Sequence, residues 1–260
     1  MPDPVVVFSK SDSLGYITLN RPPANSYDLG FMQDLDAAVE AANGDAGVNV
    51  VLLKSASEKF FSGGADIKAF LANTTAANMG MIRTAHRALD KMAASSKVYL
   101  AAIGGHAMGG GLEMALACDL RFAAEGKYRL GLPEVTLGLL PGNGGTQRLP
   151  RLVGANKALE MMLTGETVTP EEALRLGIVN RLFPAEKLME EAEAYARRLA
   201  AGATLAVGQI KRAVYQGVTM KLRDALALER ELIEPLFDTA DAKEGLAAFA
   251  EKRQPVYQGK

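Results

Sequence analysis

Two carboxylates stand in sequence surroundings that ordinarily reject charge. Glu113 follows Gly109-Gly110-Gly111-Leu112 and precedes Met114-Ala115-Leu116-Ala117-Cys118, while Glu134 lies in Leu130-Gly131-Leu132-Pro133-Glu134-Val135 with Leu137, Leu139 and Leu140 close behind. Burying an unpaired carboxylate is costly, and the cost raises its pKa toward neutrality, which suits proton transfer near pH 7. Two such groups facing one another form an acid–base pair; each alone reads as well as an N-cap partner or a solvated edge residue. The three glycines open a helix, where free backbone N–H groups and the positive end of the helix dipole meet, and a missing Cβ lets a substrate oxygen come close. A second glycine turn, Phe61-Ser62-Gly63-Gly64-Ala65-Asp66-Ile67-Lys68, also leads from an apolar run into a helical stretch. Jointly the two turns are able to aim two amides at one developing oxyanion; singly each is a tight turn.

Other chemistries fail on spacing or composition. The run Gly104-Gly105-His106-Ala107-Met108-Gly109-Gly110-Gly111 has glycines where a phosphate loop needs Lys and Ser or Thr, and no start within it gives the dinucleotide spacing. Ser62 has Phe60 two residues before it, not the glycine of a hydrolase elbow. Only His86 and His106 are available for a triad or a histidine metal site, and His106, between glycine and alanine, reads as a packed side chain. Cys118 is the single cysteine, which excludes an intrachain disulfide and a thiolate cluster, so no metal is expected.

The elements that must position these residues alternate between strand and helix. Val5–Phe8 and Tyr16–Leu19 read as a hairpin around Ser9 to Gly15, followed by a helix over 29–43 with Met32, Leu35, Ala38, Val39 and Ala42 on one face. Buried strands are predicted at 48–53, 98–103 and 120–123, with a long helix over 79–95 between the first two and a short one from the triple glycine before the third. Strand, helix, strand in this order predicts crossover units in a parallel or mixed sheet. From Asn156 onward the pattern is helical, apart from a short strand at 178–182; helices are predicted over 186–200, 205–216, 222–237 and 241–252. Thr169-Pro170-Glu171-Glu172 carries a threonine N-cap, a proline at the first helical position and a glutamate three residues on, a capping box.

Composition bounds the function classes. The 260 residues hold 29 basic and 30 acidic side chains, a net charge of −1 that argues against phosphate-driven nucleic-acid binding. The longest uncharged run, Val98 to Leu112, is broken by glycines and is shorter than the about 20 apolar residues of a membrane span. Met1-Pro2-Asp3 has neither the basic nor the apolar stretch of a secretory signal, and a cytoplasmic location is expected.

Taken together, several motifs are specific. They are Asn20-Arg21-Pro22 with Ala24 and Asn25, Phe61 through Ile67, Gly105 through Glu113, Cys118-Asp119, Pro133-Glu134, and Pro141-Gly142-Asn143-Gly144-Gly145-Thr146-Gln147-Arg148-Leu149. On these the sequence resembles the enoyl-CoA hydratase/isomerase, or crotonase, family from about Val5 to the C-terminus. The resemblance implies an α/β crotonase (ClpP-like) fold, repeated ββα units forming a spiral of two nearly perpendicular sheets. It divides the chain into a core over 1–195 and a C-terminal helical region over 196–260 used in trimer formation, as a homotrimer or a dimer of trimers. It also implies an acyl-CoA thioester substrate, no cofactor beyond the CoA of that substrate, and neither nucleic-acid nor membrane partners. The thioester oxygen is expected on the N–H groups of Ala65 and Gly110, and the CoA adenine on the backbone around Ala24, Asp66 and Ile67. Glu113 and Glu134 match the two glutamates of the family's hydratases, with the Gly142 amide orienting the water and Phe249 lining CoA or a neighbouring subunit's pocket. Lys68, Lys252 and Arg253 are candidates for CoA phosphates. Segments 71–75 and 79–86 are expected to shape the acyl pocket, and Pro22-Pro23-Ala24-Asn25-Ser26-Tyr27 departs from the family's commoner Lys-Ala-Leu-Asn run. The expected activity is hydration of a 2-enoyl-CoA to a 3-hydroxyacyl-CoA; the rivals are an enoyl-CoA isomerase on the same scaffold and a weakly catalytic acyl-CoA-binding or RNA-associated homologue.

Overall fold

A computed structural model describes residues 3–260; Met1 and Pro2, part of the N-terminal reading above, lie outside the described residues. The first hairpin is longer and tighter than expected. β1 (Val6–Ser11) and β2 (Leu14–Leu19) pair antiparallel down to Ser11↔Leu14, so the turn is Asp12-Ser13, with Asp12 at φ 53°. α1 (Leu29–Gly44) follows, capped by Asp28, whose carboxylate accepts from the Phe31 N–H.

Two strands of the chain's next section then repeat as a unit. β3 (Val50–Ser55) joins the main sheet and β4 (Phe60–Ser62) leaves it, before α2 (Ile67–Ala72) and α3 (Thr75–Ala94). β5 (Val98–Ile103) and β6 (His106–Met108) repeat the step before α4 (Gly110–Leu116). β7 (Leu120–Ala124) and β8 (Leu130–Gly131) repeat it again before α5 (Gly145–Val153) and α6 (Ala155–Thr164). β9 (Thr167–Val168), α7 (Pro170–Arg175), β10 (Arg181–Phe183) and α8 (Leu188–Ala200) complete the core, and α9 (Thr204–Gly217), α10 (Leu222–Ile233) and α11 (Ala240–Glu251) end the chain.

The long strands build a six-stranded sheet in the order β1-β2-β3-β5-β7-β10, parallel except for the first pair. The short strands build a second sheet, β4-β6-β8-β9, parallel except for its last pair. These are the ββα turns of the expected spiral. All six residues of β5 are buried, as a central parallel strand covered on both faces requires. α8 packs on β3, β5 and β7, while α1 packs on β1, β2 and α3.

Several boundaries differ for local reasons. The last strand is Arg181–Phe183, because Ile178 and Val179 instead bond back to Ala173 and close α7. α10 ends at Ile233 because Pro235 cannot continue it, and a single 3₁₀ turn carries the chain to Asp238. At α7, Thr169 Oγ1 accepts from the Glu172 N–H, but the Glu172 carboxylate turns outward to Arg175 instead of closing the box. Residues 195 and 196 fall inside α8, whose Ala192 and Ala196 are buried, so that helix runs unbroken across the expected division.

The C-terminal region is pinned to the core by Lys211 of α9. Its ammonium, 8% exposed, donates to the carbonyls of Met92 and Lys97 and to Asp119 Oδ2, each at 2.9 Å. Asp119 in turn accepts from the Tyr99 N–H at the start of β5. Removing one partner of a buried pair leaves the other charge uncompensated, at about 3–5 kcal/mol. Lys211→Ala should therefore lower the urea midpoint by a corresponding amount; an unchanged midpoint would show that the pair contributes nothing to the attachment of α9.

Candidate active site

Parallel pairing of β4 with β6, Phe60 opposite His106 and Ser62 opposite Ala107, sets the two glycine turns side by side. Their backbones touch. A Cβ on Gly64 would lie 2.7 Å from the Met108 carbonyl, and one on Gly111 would lie 2.3 Å from that of Ser62. Gly64 and Gly109 also hold φ of +88° and +54°, which favours glycine. The loop before α1 straps this junction: Gly63 N–H donates to the Ala24 carbonyl, and the side chain of Asn25 reaches Ser55 and the Phe61 carbonyl.

Two amides are left over. Tyr27 pairs with the Gly64–Asp66 strip through the Tyr27 and Asp66 N–H groups, which passes over the N–H of Ala65. Gly110 begins α4, so its N–H has no intrahelical acceptor. Among the described residues neither amide meets an acceptor, and both line one cavity of about 850 Å³.

Glu113, one turn into α4 and 1% exposed, faces the same cavity. Its Oε1 accepts from the N–H groups of Asn143 and Gly145, both at 2.7 Å, which leaves Oε2 for a ligand. Burial pushes its pKa up to about 7; the two amides and the Arg148 guanidinium oppose that rise. Glu134 lines the same cavity from the head of the 3₁₀ turn Glu134–Leu137, its Oε1 against Gly109, where a Cβ would come within 2.9 Å. Burial raises its pKa to about 7, and the charge of Glu113 pushes in the same direction. Its Oε2 is buried without a donor. The pair is thus unequal in its partners: two amides from other residues converge on Glu113 Oε1, while Glu134 Oε2 has no donor.

The rest of the wall is mostly apolar, formed by Ile67, Phe70, Leu71, Met79, Ile82 and Leu140 among others, with Thr75, Asn78 and Thr136 as uncharged polar members. Segments 71–75 and 79–86 thus contribute to it as expected. Gly142 lines it too, its carbonyl 2.7 Å from His86 Nε2; a carbonyl only accepts, so His86 carries its proton on Nε2. Ile67 lines the cavity, whereas Ala24 and Asp66 are not among its lining residues: the Ala24 carbonyl holds Gly63, and Asp66 caps α2 by accepting from the N–H groups of Lys68 and Ala69. Phe249 sits on α11, 87% exposed and outside this chain's cavity. Arg253 is paired with Glu244 and Glu251, and Lys252 ends α11 at φ 56°. His106 is packed beside Phe60, with Nδ1 accepting from the Arg129 N–H. The described residues hold no group of three or more His, Cys, Asp or Glu side chains arranged for a metal.

Reading the sequence missed Tyr27, Asn143 and Arg148 as parts of the site. Tyr27 Oη accepts from Asn143 Nδ2 at 2.8 Å, a contact spanning 116 positions, and Arg148 Nη1 holds the Asn143 carbonyl at 2.8 Å. No local spacing signals such a pair.

Comparison with known proteins agrees with this geometry. A family model described as enoyl-CoA hydratase/isomerase matches residues 9–260. The chain belongs to the enoyl-CoA hydratase/isomerase family. The crystal structure of a Geobacillus kaustophilus HTA426 enoyl-CoA hydratase superposes with a TM-score of 0.97 at 46% identity, covering 100% of this chain and 98% of the other. The 2,3-dehydroadipyl-CoA hydratase of Escherichia coli (strain K12) is 37% identical over 98% of this chain and 99% of its own. The crotonyl-CoA hydratase of Syntrophomonas wolfei subsp. wolfei (strain DSM 2245B / Goettingen) is 35% identical over 98% of each. Within the enoyl-CoA hydratase/isomerase fold, then, the two turns and the two glutamates occupy a single cavity.

At pH 6 the Glu113–Glu134 pair should still carry a proton. Infrared difference spectra of wild type against Glu134→Gln should show the loss of a protonated carboxyl band; two fully ionised carboxylates at that pH would contradict the electrostatics described.

Proposed function

We propose that the protein adds water across the C2=C3 bond of a 2-enoyl-CoA to give a 3-hydroxyacyl-CoA. The observation that carries this reading is the convergence of two free amides and two unlike carboxyl groups on one cavity. The thioester oxygen binds the N–H groups of Ala65 and Gly110. As oxygen adds at C3, negative charge moves onto that carbonyl, and each preorganised donor contributes about 3–4 kcal/mol to the transition state. Ionised Glu113 takes a proton from the water through Oε2, with the Gly142 amide orienting that water, and protonated Glu134 gives a proton to C2. Atoms balance: the Glu134 proton goes to C2, the OH of water to C3 and its other hydrogen to Glu113 Oε2, and a proton returns from Glu113 to Glu134 between turnovers.

The CoA nucleotide is assigned to the outer rim by Ile67, beside Ala24 and Asp66, with no cofactor besides CoA. The C-terminal helices expose Ile210, Val218, Leu222, Phe237, Leu246 and Phe249, an apolar surface that supports a homotrimer or a dimer of trimers in which Phe249 meets a neighbour. No helix among the described residues is long and apolar enough to cross a membrane, and the reading places the enzyme in the cytoplasm.

The acyl tail is apolar on this reading. Apart from Glu113 and Glu134, no charged side chain lines the cavity among the described residues, so a terminal carboxylate on the acyl group would be buried without a cation. Crotonyl-CoA or a longer unbranched enoyl-CoA should exceed a dicarboxylic enoyl-CoA in kcat/KM by tenfold or more, since about 1.4 kcal/mol already gives tenfold; a preference for the dicarboxylic substrate would overturn that assignment.

Replacing either glutamate with glutamine should lower kcat for hydration by ~10² or more, because a positioned acid or base typically contributes about that much. The assay follows loss of the enoyl thioester absorbance. Near-full hydration by either variant would remove that glutamate from the mechanism, and efficient conversion of a 3-enoyl-CoA to its 2-enoyl isomer without hydration would favour the isomerase instead.

A further inference from the structure

Asn143 is held on every side. Its N–H donates to Glu113 Oε1, its carbonyl accepts from Arg148 Nη1, and its Nδ2 donates to Tyr27 Oη. Flanking it, the Gly142 carbonyl accepts from His86 and the Gly145 N–H reaches the same Glu113 oxygen. The residue is 2% exposed, and its Oδ1 has no donor, a cost that simple filling of space by an apolar side chain would avoid. Tyr27, 5% exposed, lies in the segment strapped across the two glycine turns, with its hydroxyl against Gly110. One tyrosine thereby touches both halves of the reaction centre: the turn that carries the Gly110 amide, and the loop that carries the donors to Glu113.

We propose that Tyr27 is a positioning residue for the general base: its hydroxyl, through Asn143, fixes the loop over 142–145 so that two amides hold Glu113 Oε1 and aim Oε2 at the substrate. The assignment rests on Glu113 acting as the base in the hydration described above. Burial keeps the phenol protonated by pushing its pKa well above the ordinary range, so Oη accepts from Asn143 as a neutral hydroxyl. The charged and titratable groups around Glu113 are few. Glu134 lines the same cavity and feels the Glu113 charge, and Arg148 of α5, which holds the Asn143 carbonyl, is itself paired with Asp90 of α3. His86 of α3 is bonded through Nε2 to the Gly142 carbonyl. Within this set the two amide donors act on the carboxylate by direct contact, and the tether governs them. Loosening the loop weakens those donors, which destabilises the anion and raises the pH at which Glu113 becomes a base.

The test pairs Tyr27→Phe with Asn143→Ala, which removes the tether while keeping the backbone N–H. Each should lower kcat roughly tenfold with KM within about twofold, the scale of a modest misplacement of a reacting group, and move the acid limb of the kcat/KM profile to higher pH. The double variant should be no worse than the worse single one, because both cut the same link. A ¹³C titration of the Glu113 carboxyl, read in the Glu134→Gln background and independent of turnover, should move to higher pH in both tether variants. An unchanged titration in Tyr27→Phe, or losses that add in the double variant, would overturn the proposal. Absence of hydration in the wild type would instead defeat the functional reading and leave the carboxyl titration to decide the tether.

Discussion

Glu113 and Glu134 are buried carboxyl groups lining one largely apolar cavity, and the rest of the site is organised around the cost of holding them there. Both cannot be ionised cheaply at such proximity, so the surroundings must break the symmetry. They do so with backbone rather than with cations: two N–H groups converge on one oxygen of Glu113, while Glu134 keeps an oxygen with no donor. On the proposed mechanism the outcome is a base and an acid from the same residue type, both raised to about 7. An arginine in direct contact with either carboxylate would have locked it as an anion; Arg148 instead acts through the Asn143 carbonyl and a more distant charge.

The second sheet exists, in functional respects, to bring chain turns together. Its strands are two or three residues long and contribute little area, yet the pairing of β4 with β6 places the turn at Gly64 against the turn at Gly109–Gly111 at backbone contact distance. Side chains at Gly64 or Gly111 would force the turns apart and separate the amides of Ala65 and Gly110. The long parallel sheet supplies the rigid reference for both, since β4 and β6 each follow a long strand of it, β3 and β5. Lys211 extends the same frame to the C-terminal helices by tying α9 to the ends of the strands that carry the site.

Much of this was legible in the amino-acid order. The long strands and most helices announced themselves through apolar periodicity, and Glu113 and Glu134 through their apolar neighbours. The resemblance to the enoyl-CoA hydratase/isomerase family then put the two turns in one site. The short strands carried no signal of their own because two or three residues carry no period; Phe61 and Ser62 read as part of a glycine turn, and Leu130–Gly131 only as apolar surroundings of Glu134. Tyr27 and Asn143 stood in the quoted runs without a role of their own: their bond joins positions more than a hundred residues apart, and only the folded chain brings them together.

The central claim is that one bound thioester meets both amides and both carboxyl groups at once. A crystal structure of the protein with a saturated acyl-CoA of matching chain length tests it directly. The account predicts the thioester oxygen within hydrogen-bond reach of the Ala65 and Gly110 nitrogens, with C3 beside Glu113 Oε2 and C2 beside Glu134. A thioester oxygen bound elsewhere, or an acyl chain whose C2 and C3 lie away from either carboxyl group, would contradict it.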